Sequence, residues 1–340
     1  MSQTNYWTGK NVLITGINGF IGGNLAMACL RKGANITGII RNIKKNTILF
    51  YGGMADKVNI IQGDITDKDL MRRIIVEEQI NCCFHLAAQV EVGVARDYPY
   101  LTWETNVRGT YALLEAVREN REKVQAVITA SSDKAYGSYD RDKLPYVEDY
   151  PLIPIYPYDV SKACADMISR SYASDLYDLP IIITRFCNIY GPGQLNFSAL
   201  IPDAIRSALG YSTFIPRGNG LHIRDYIYID DVVDLYMLFA ERLSADSKLK
   251  GEIFNVGTNQ PMTVKDIVKK IYGMLGKDIL YAEVEKLWAD RQTVGEISSQ
   301  YMSYDKLNRY FGWKPQIDFD TGLYKTIEWF KKYFLMRYGN

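Results

Sequence analysis

Two pairs of ionisable residues carry groups that could move protons. Asp133 and Lys134 are neighbours in the stretch ITASSDKAYGSY. Tyr158 and Lys162 are spaced Tyr-x-x-x-Lys in YPYDVSKACAD, and residues four apart share one face of a helix. A lysine ammonium beside a phenol lowers the phenol pKa, which would make Tyr158 a usable base near neutral pH. A solvated turn at Asp133 and a chance spacing at Tyr158 are the plain alternatives.

Three glycines, Gly16, Gly19 and Gly22, lie in TGINGFIGG between the first apolar run and the first amphipathic segment. Glycine at these places permits a tight turn, close approach of the backbone to a diphosphate, and close helix–sheet packing. The helix N-terminus that follows offers free N–H groups and a partial positive charge to phosphates. Because GDI (63–65) and HLAAQ (85–89) end later strands, the pattern predicts a dinucleotide site rather than a plain glycine turn.

The residue after the second strand bears on which dinucleotide binds. An NAD site usually has an acidic residue there for the ribose hydroxyls, whereas this chain has Arg41 in GIIRNIKK. A guanidinium suits a 2′-phosphate, so NADP(H) is slightly favoured over NAD(H), with a solvated basic loop as the alternative. The predicted cofactor contacts are Gly16, Asn18, Gly19, Phe20, Ile21, Arg41, Asp64, Ile65, Leu86, Ala87, Ala88, Gln89, Tyr158 and Lys162.

The elements that must position these residues alternate between short apolar runs and amphipathic segments through the first 190 residues. This pattern predicts an α/β fold with a doubly wound parallel (Rossmann) sheet. Shorter elements and frequent turn signals follow, which predicts a smaller α/β lobe toward the C-terminus. We place the first domain at 1–191, with a returning segment near 225–258, and the second at 192–340. Within the second, Thr263 is the expected N-cap of a helix over 263–277.

Composition excludes several classes of protein. The 340 residues carry a formal net charge of +1, which gives no reason to expect nucleic acid or an anionic membrane as partner. With two histidines and no zinc-type cysteine spacing, we expect no metal centre. The N-terminus enters a strand pattern without a signal h-region, and no run of about 18 apolar residues follows, so we expect a cytoplasmic protein. The cysteines, expected as reduced thiols, are Cys29, Cys82, Cys83, Cys164 and Cys187.

Several motifs taken together resemble one family. The glycine turn, HLAAQ, TNVRGT, the Tyr-x-x-x-Lys pair, RFCNIYGPG and RDYIYIDDVV are similar to those of extended short-chain dehydrogenase/reductases of the nucleotide-sugar epimerase/dehydratase family. The resemblance runs from about residue 9 to FGWKP (311–315). It implies a tightly bound NAD(P) and a nucleotide-diphosphate sugar substrate held mainly by the second lobe. It also implies a homodimer built from the helices around 102–119 and 160–177, for which an internal lid formed by the second lobe is the alternative.

The resemblance assigns substrate contacts to four residues. Ser132 occupies the place of the Ser/Thr that hydrogen-bonds the sugar 4-hydroxyl beside Tyr158. Asn188 and Arg224 occupy places where family members hold the nucleotide diphosphate, and a guanidinium fork is apt for that group. Arg291 matches a third phosphate or ribose contact more loosely, and a surface arginine is nearly as good an interpretation.

The Asp133–Lys134 pair separates reactions within the family. Many sugar 4,6-dehydratases carry Asp-Glu after the Ser/Thr, and some resemble this chain in carrying Asp-Lys, whereas C4-epimerases usually have small or uncharged residues there. The resemblance therefore implies an NDP-hexose 4,6-dehydratase, a hydro-lyase of deoxysugar biosynthesis. A nucleotide-sugar C4-epimerase or reductase is the rival, and a non-catalytic NAD(P)-binding sensor is the remote alternative.

Elimination of water would use both members of the pair. Neutral Lys134 could remove the C5 proton, and protonated Asp133 could protonate the departing C6 oxygen. Moving one proton within the ionised pair gives this form, and a dry site disfavours both charges. Because neighbours on a strand face opposite ways, both side chains reach one substrate only if the strand ends near Ser132. The predicted catalytic residues are Ser132, Asp133, Lys134, Tyr158 and Lys162.

Overall fold

The computed structural model describes residues 5–288, 291 and 296–338. Its strands are β1 (Asn11–Thr15), β2 (Asn35–Ile40), β3 (Val58–Gln62), β4 (Cys82–His85), β5 (Ala126–Ser132), β6 (Ile181–Phe186), β7 (Asn188–Tyr190), β8 (Ile223–Arg224), β9 (Tyr226–Tyr228), β10 (Ile253–Val256), β11 (Met262–Thr263) and β12 (Ser299–Gln300). Its α-helices are α1 (Phe20–Arg31), α2 (Ile48–Tyr51), α3 (Lys68–Glu77), α4 (Val92–Asp97), α5 (Pro99–Trp103), α6 (Gly109–Arg118), α7 (Pro157–Ala173), α8 (Leu200–Ala208), α9 (Ile229–Ala245), α10 (Val264–Met274), α11 (Asp278–Lys286), α12 (Asp305–Phe311) and α13 (Phe319–Tyr338).

A seven-stranded sheet confirms the predicted doubly wound fold. Its strand order is β10-β6-β5-β4-β1-β2-β3, and β1 pairs in parallel with both β2 and β4. Strands such as β4 and β6 are buried along their whole length, as expected for a sheet covered by helices on both faces. The strand order reverses between β1 and β4, and ligands of such sheets bind outside the carboxyl ends at this point.

Two compact units divide the chain. The first consists of Met1–Gly137, Pro151–Phe186 and Val232–Asn255, and the second of Ser138–Tyr150, Cys187–Asp231 and Val256–Asn340. The predicted boundary at residue 191 placed 138–150 in the first domain, whereas the structure places this loop in the second unit. The physical reason is backbone pairing, since Tyr146 N–H donates to Tyr301 O at 3.0 Å and Ser303 N–H donates to Tyr146 O at 3.0 Å.

The second unit contains two small sheets, β11-β8-β12 and β7-β9. Thr263 caps α10 as predicted, because its hydroxyl accepts a hydrogen bond from Asp266 N–H at 3.1 Å. The helix ends at Met274, earlier than the pattern predicted. Among the described residues, no helix combines the length and the apolar character that crossing a membrane requires.

Candidate active site

The strand that leads to the Asp-Lys pair ends at Ser132, and a 3-10 helix spans Asp133–Tyr136. Ser132 Oγ donates to Asp133 Oδ1 at 2.9 Å and accepts from Lys134 N–H at 3.3 Å. Asp133 is 4% exposed and Lys134 is half-buried, which does not fit a solvated surface turn. The change from strand to 3-10 helix removes the strict alternation that would send the two side chains to opposite faces.

Gly137 ends this turn in a conformation that requires glycine. Its φ is +78°, and a Cβ at this position would lie 2.4 Å from Ile153 O. The close approach lets Ile153 N–H donate to Tyr136 O at 3.1 Å. The backbone on both sides of the Asp-Lys pair is therefore fixed, by β5 before it and by the segment at Ile153 after it.

Helix α7 brings the Tyr-x-x-x-Lys pair to the same place. The helix begins at Pro157, three residues earlier than predicted, so Tyr158 lies in its first turn. The Ser132 hydroxyl hydrogen-bonds to Tyr158, and Lys162 Nζ donates to Ala130 O at the end of β5. The first unit thus gathers four of the five predicted catalytic side chains into one cluster, and Lys134 lies on the turn beside them.

The proton affinities in this cluster differ from the sequence-based expectation. Burial raises the pKa of Tyr158, the carboxylates of Asp133 and Asp159 raise it further, and the Ser132 hydrogen bond lowers it by less. The expectation that Lys162 leaves the Tyr158 pKa lowered is therefore wrong for this structure. Burial lowers the pKa of Lys162 to about 8, against an opposing effect of Asp166, so Lys162 releases its proton closer to neutral pH than a free lysine does.

Asn106 links two segments of this region, and the sequence motifs assigned it no role. It lies in a π-helical turn, Glu104–Arg108, and its Oδ1 accepts from Gln89 N–H at 2.7 Å. Its Nδ2 donates to Gln89 O at 3.0 Å and to Ser161 Oγ at 2.8 Å. Asn106 thereby ties the segment after β4 to the helix that carries Tyr158. The signal was the motif TNVRGT, which contributed to the resemblance without its asparagine being assigned a role.

The glycine turn fits a dinucleotide diphosphate. Gly16 has φ +72°, and a Cβ there would lie 2.9 Å from Ala87 Cα. A Cβ on Gly22 would lie 2.4 Å from Gly16 O. Helix α1 starts directly after Gly19, which provides no side-chain cap, so its first N–H groups remain available to an anion. The turn lies at the carboxyl ends of β1 and β4, where the sheet order reverses.

A buried histidine, His85, links the end of β1 to α6 beside the glycine turn. His85 Nδ1 lies 3.0 Å from Thr15 Oγ1, and its Nε2 lies 3.0 Å from Thr110 Oγ1. Burial lowers the pKa of His85 to about 3, so the ring is neutral. Thr15 Oγ1 also accepts from the backbone N–H groups of Leu86 and Ala87 at 3.0 and 3.1 Å, which holds the segment after β4 beside the glycine turn.

The other predicted cofactor contacts lie around the same edge of the sheet. Asn18 Oδ1 accepts from Thr47 Oγ1 at 2.7 Å. Arg41 Nη1 lies 4.0 Å from Asp64 Oδ2, with both side chains about half exposed. The side chain of Ile65 is buried in the core, which leaves its backbone for any contact with a ligand. Phe20, Ile21, Ala88 and Gln89 are half-buried.

The predicted diphosphate contacts belong to the second unit. Arg224 is nearly buried, and it donates to Ile223 O at 2.8 Å and to Glu296 Oε2 at 3.2 Å. Asn188 Nδ2 donates to the backbone oxygen of Asp225 at 3.1 Å. Arg291 is exposed, and its neighbours at 289–290 and 292–295 lie outside the described residues. The substrate roles of these residues stay predictions.

The Rossmann sheet, the glycine turn at its switch point and the Tyr158–Lys162 pair define the class of extended short-chain dehydrogenase/reductases. Comparison with known families narrows this class. The family model described as GDP-mannose 4,6 dehydratase matches residues 13–326, nearly the whole chain. The chain belongs to this family, and the predicted resemblance is confirmed.

Named relatives agree with this assignment. The chain is 30% identical to the human dTDP-D-glucose 4,6-dehydratase over 96% of the chain and 91% of the relative. It is similar in structure to the NAD-bound dTDP-glucose 4,6-dehydratase of Streptomyces venezuelae, with a TM-score of 0.82 and 27% identity over 95% of this chain and 98% of that one. It is 29% identical over 95% of its length to a trifunctional UDP-glucose 4,6-dehydratase/UDP-4-keto-6-deoxy-D-glucose 3,5-epimerase/UDP-4-keto-L-rhamnose-reductase of Arabidopsis thaliana, and spans 47% of that protein. The chain thus covers about half the length of this plant relative.

Proposed function

We propose that the protein is an NDP-hexose 4,6-dehydratase, which converts a nucleotide-diphosphate hexose into an NDP-4-keto-6-deoxy sugar. The observation that carries this proposal is the turn of buried Asp133 and half-buried Lys134, joined through the Ser132 hydroxyl to Tyr158. A C4-epimerase or a reductase needs Tyr158 and Lys162 but has no use for a buried acid followed by a half-buried amine after Ser132. Relatives named as 4,6-dehydratases support the same activity.

In the proposed reaction Ser132 hydrogen-bonds the sugar 4-hydroxyl, and Tyr158 removes the proton from it. The residues of the glycine turn, with Arg41 and Lys162, would hold NAD(P), which would supply the hydride acceptor for C4 and the hydride donor for C6. The 4-keto group makes the C5 proton acidic, and Lys134 in its neutral form removes that proton. Asp133 in its protonated form donates a proton to the C6 oxygen, so the C6–O bond breaks and water leaves. When hydride reaches C6, the protonated Lys134 returns a proton to C5, which completes the 4-keto-6-deoxy sugar. Lys162 helps to hold the ribose of the cofactor and adjusts the charge near Tyr158.

The proton on Asp133 serves two steps of this scheme. An ionised Asp133 raises the pKa of Tyr158, so a neutral Asp133 makes Tyr158 easier to deprotonate. The same proton is the one needed by the departing C6 oxygen. Protonated Asp133, the general acid of the elimination, therefore also favours the oxidation that precedes it.

The choice between NADP(H) and NAD(H) is proposed to depend on Arg41. Its guanidinium follows β2 and is half exposed, 4.0 Å from the Asp64 carboxylate, which leaves it able to reach a 2′-phosphate. Arg41→Asp should shift the ratio of the two affinities toward NAD(H), because a carboxylate repels the phosphate and accepts from ribose hydroxyls. Titration of both dinucleotides checks this, with Arg31→Asp, an exposed arginine at the end of α1, as control. An unchanged ratio would remove Arg41 from the site.

The substrate class is tested by a panel of nucleotide hexoses. Incubation of the purified protein with dTDP-, UDP-, GDP- and CDP-hexoses, followed by mass spectrometry, should show loss of one water from at least one of them. The cofactor should stay bound and should not be consumed, since the hydride returns to the sugar. A product of unchanged mass with inverted C4 would favour the epimerase, and a need for stoichiometric NAD(P)H would favour a reductase. Binding of dinucleotide without any turnover would favour the sensor.

We further propose a homodimer and a cytoplasmic location. The dimer is supported by exposed apolar side chains on the helices predicted to form it, since Tyr111 is 42% exposed and Met167 is 60% exposed. A pocket of about 290 Å³ on the same face is lined by Trp103, Glu104, Val107, Arg108, Tyr111, Val160 and Cys164. The cytoplasmic location is supported by cysteines that are free thiols in the described part of the chain.

A further inference from the structure

A buried cluster in the first unit joins the two parts of the catalytic apparatus. Arg185, near the end of β6, is 1% exposed, and its Nε and Nη2 donate to the two carboxylate oxygens of Asp166 at 2.8 and 3.0 Å. Its Nη1 donates to the Tyr136 hydroxyl at 2.7 Å. That hydroxyl donates in turn to Asn255 Oδ1 at 2.7 Å, so it acts as acceptor and donor at once.

The position of this cluster relates it to the chemistry. Asp166 lies on α7, one turn beyond Lys162 and two turns beyond Tyr158. Tyr136 is the last residue of the 3-10 helix that begins at Asp133. Arg185 therefore contacts both the helix that carries the oxidation residues and the turn that carries the elimination residues.

The energetics of the cluster favour a single arrangement. Hydrogen bonds to a charged group in a dry interior are strong, and the guanidinium lies 4.7 Å from the centre of the Tyr136 ring as well. Removal of the Tyr136 hydroxyl would take away one contact each from Arg185 and Asn255 in a region that excludes water. The residues of the turn would then shift, whereas Lys162 keeps its separate bond to Ala130 O.

We propose that Tyr136 is a positioning residue for the elimination step. Its hydroxyl, held between Arg185 and Asn255, sets where the Asp133–Lys134 turn lies relative to Tyr158. Elimination needs Asp133 and Lys134 to reach two neighbouring carbons of one sugar, and a misplacement of about 1 Å can cost roughly 10²-fold in rate. This inference rests on the dehydratase function proposed above.

The test compares Tyr136→Phe with Tyr236→Phe. Tyr236 is also fully buried in the first unit, and its hydroxyl lies 3.5 Å from Thr184 Oγ1, on a residue whose side chain leaves β6 on the face opposite to that of Arg185. The absorbance of reduced nicotinamide on mixing with substrate measures oxidation, and the mass of the product measures elimination. Tyr136→Phe should keep the oxidation rate near that of the parent protein and slow elimination roughly 10- to 100-fold, so that reduced nicotinamide accumulates. Tyr236→Phe should leave both the oxidation rate and the elimination rate unchanged.

A second variant guards against a simple loss of folding. Asn255→Leu removes the acceptor but keeps the bond between Arg185 and Tyr136, so it should slow elimination in the same direction and by less. Equal slowing of both steps, no difference from Tyr236→Phe, or failure of Tyr136→Phe to fold and bind NAD(P) would each overturn the positioning role. A parent protein that oxidises a hexose but never releases water would contradict the dehydratase function itself, and this outcome is read before any variant is compared.

Discussion

Tyr158 illustrates how the surroundings of one residue decide its chemistry. A phenol that is buried beside the carboxylates of Asp133 and Asp159 holds its proton more tightly than a free phenol does. The Ser132 hydroxyl partly offsets this rise through its hydrogen bond to Tyr158. In the same cluster, burial lowers the pKa of Lys162. A base in this setting works when neighbouring charges are neutralised as substrate enters and water leaves.

The two half-reactions should separate in variants of Tyr158 and Lys134. Tyr158→Phe should abolish oxidation, because it removes the hydroxyl that is proposed to take the C4 proton. Lys134→Ala should leave oxidation partly intact and block elimination, since its role begins after the keto group exists. Enzyme-bound reduced nicotinamide, followed by absorbance, should accumulate in Lys134→Ala only. Lys32→Ala, at an exposed lysine, is the control. If Lys134→Ala dehydrates the substrate at nearly the parental rate, a C4-epimerase or a reductase becomes the preferred function.

Removal of the Asp133 charge should shift a pH profile in a defined direction. An ionised Asp133 raises the pKa of Tyr158, so Asp133→Asn should lower that pKa. The rate of the oxidation half-reaction rises as Tyr158 deprotonates, and its rising limb should therefore move to lower pH in the variant. Elimination should fall by roughly 10²–10⁴-fold, because the general acid is lost.

Rapid-mixing measurements of nicotinamide absorbance between acidic and alkaline pH check this shift. Asp175→Asn, which changes an exposed carboxylate after α7, should leave the profile in place. A limb that moves to higher pH in Asp133→Asn would show that Asp133 does not oppose ionisation of Tyr158.

At the scale of elements, the candidate catalytic residues lie at the ends of strands and helices. Strand β5 stops at Ser132 and helix α7 starts at Pro157, and these two boundaries bring Ser132 and Tyr158 within hydrogen-bond distance. The apolar run at 179–191 is divided at Cys187 into β6 and β7, which belong to different sheets. The periodicity of side chains cannot show such a division, because both strands are largely apolar.

The N-cap of α10 offers a test of element stability. Thr263 Oγ1 accepts from Asp266 N–H, and Thr263→Ala would leave that donor to water. The free energy of unfolding should fall by about 1 kcal/mol. Denaturant titration against Lys269→Ala, at an exposed position of the same helix, measures the difference. A Thr263→Ala protein as stable as the Lys269→Ala protein would contradict the capping role.

At the scale of the whole molecule, the proposed dimer should dissociate when a charge enters its apolar face. Trp103, 44% exposed, and Tyr111, 42% exposed, lie on the predicted interface. Trp103→Glu should give a monomer at micromolar concentration, because a carboxylate buried in an interface loses its hydration. Analytical ultracentrifugation checks the mass, with Val76→Glu on α3 as the control. If the parent protein is already monomeric, an internal lid formed by the second lobe becomes the explanation for the apolar faces of these helices.

Sequence and structure agree on the fold and on the class of chemistry for identifiable reasons. Glycines at Gly16 and Gly22 can be predicted from sequence because a side chain there would overlap the neighbouring backbone. The Tyr158–Lys162 spacing can be predicted because helix geometry puts both on one face. The role of Asn106 could not be predicted from the sequence, since an asparagine in a helix can make many kinds of contact. Its hydrogen bonds to Gln89 and Ser161 show which of these it makes.

The sequence by itself determined the parallel α/β fold, the dinucleotide turn and the catalytic candidates, because these depend on local periodicity, on short motifs and on which side chains can move protons. Only the tertiary structure decided how those candidates are protonated and what holds them. Burial and the Asp133 carboxylate, which lies on the turn after β5 and far from α7 in sequence, raise a Tyr158 pKa that local reasoning expected to fall. The contact of Arg185 with both Asp166 and Tyr136 likewise exists only after three separate elements have packed, since a buried charge needs partners that no single segment supplies.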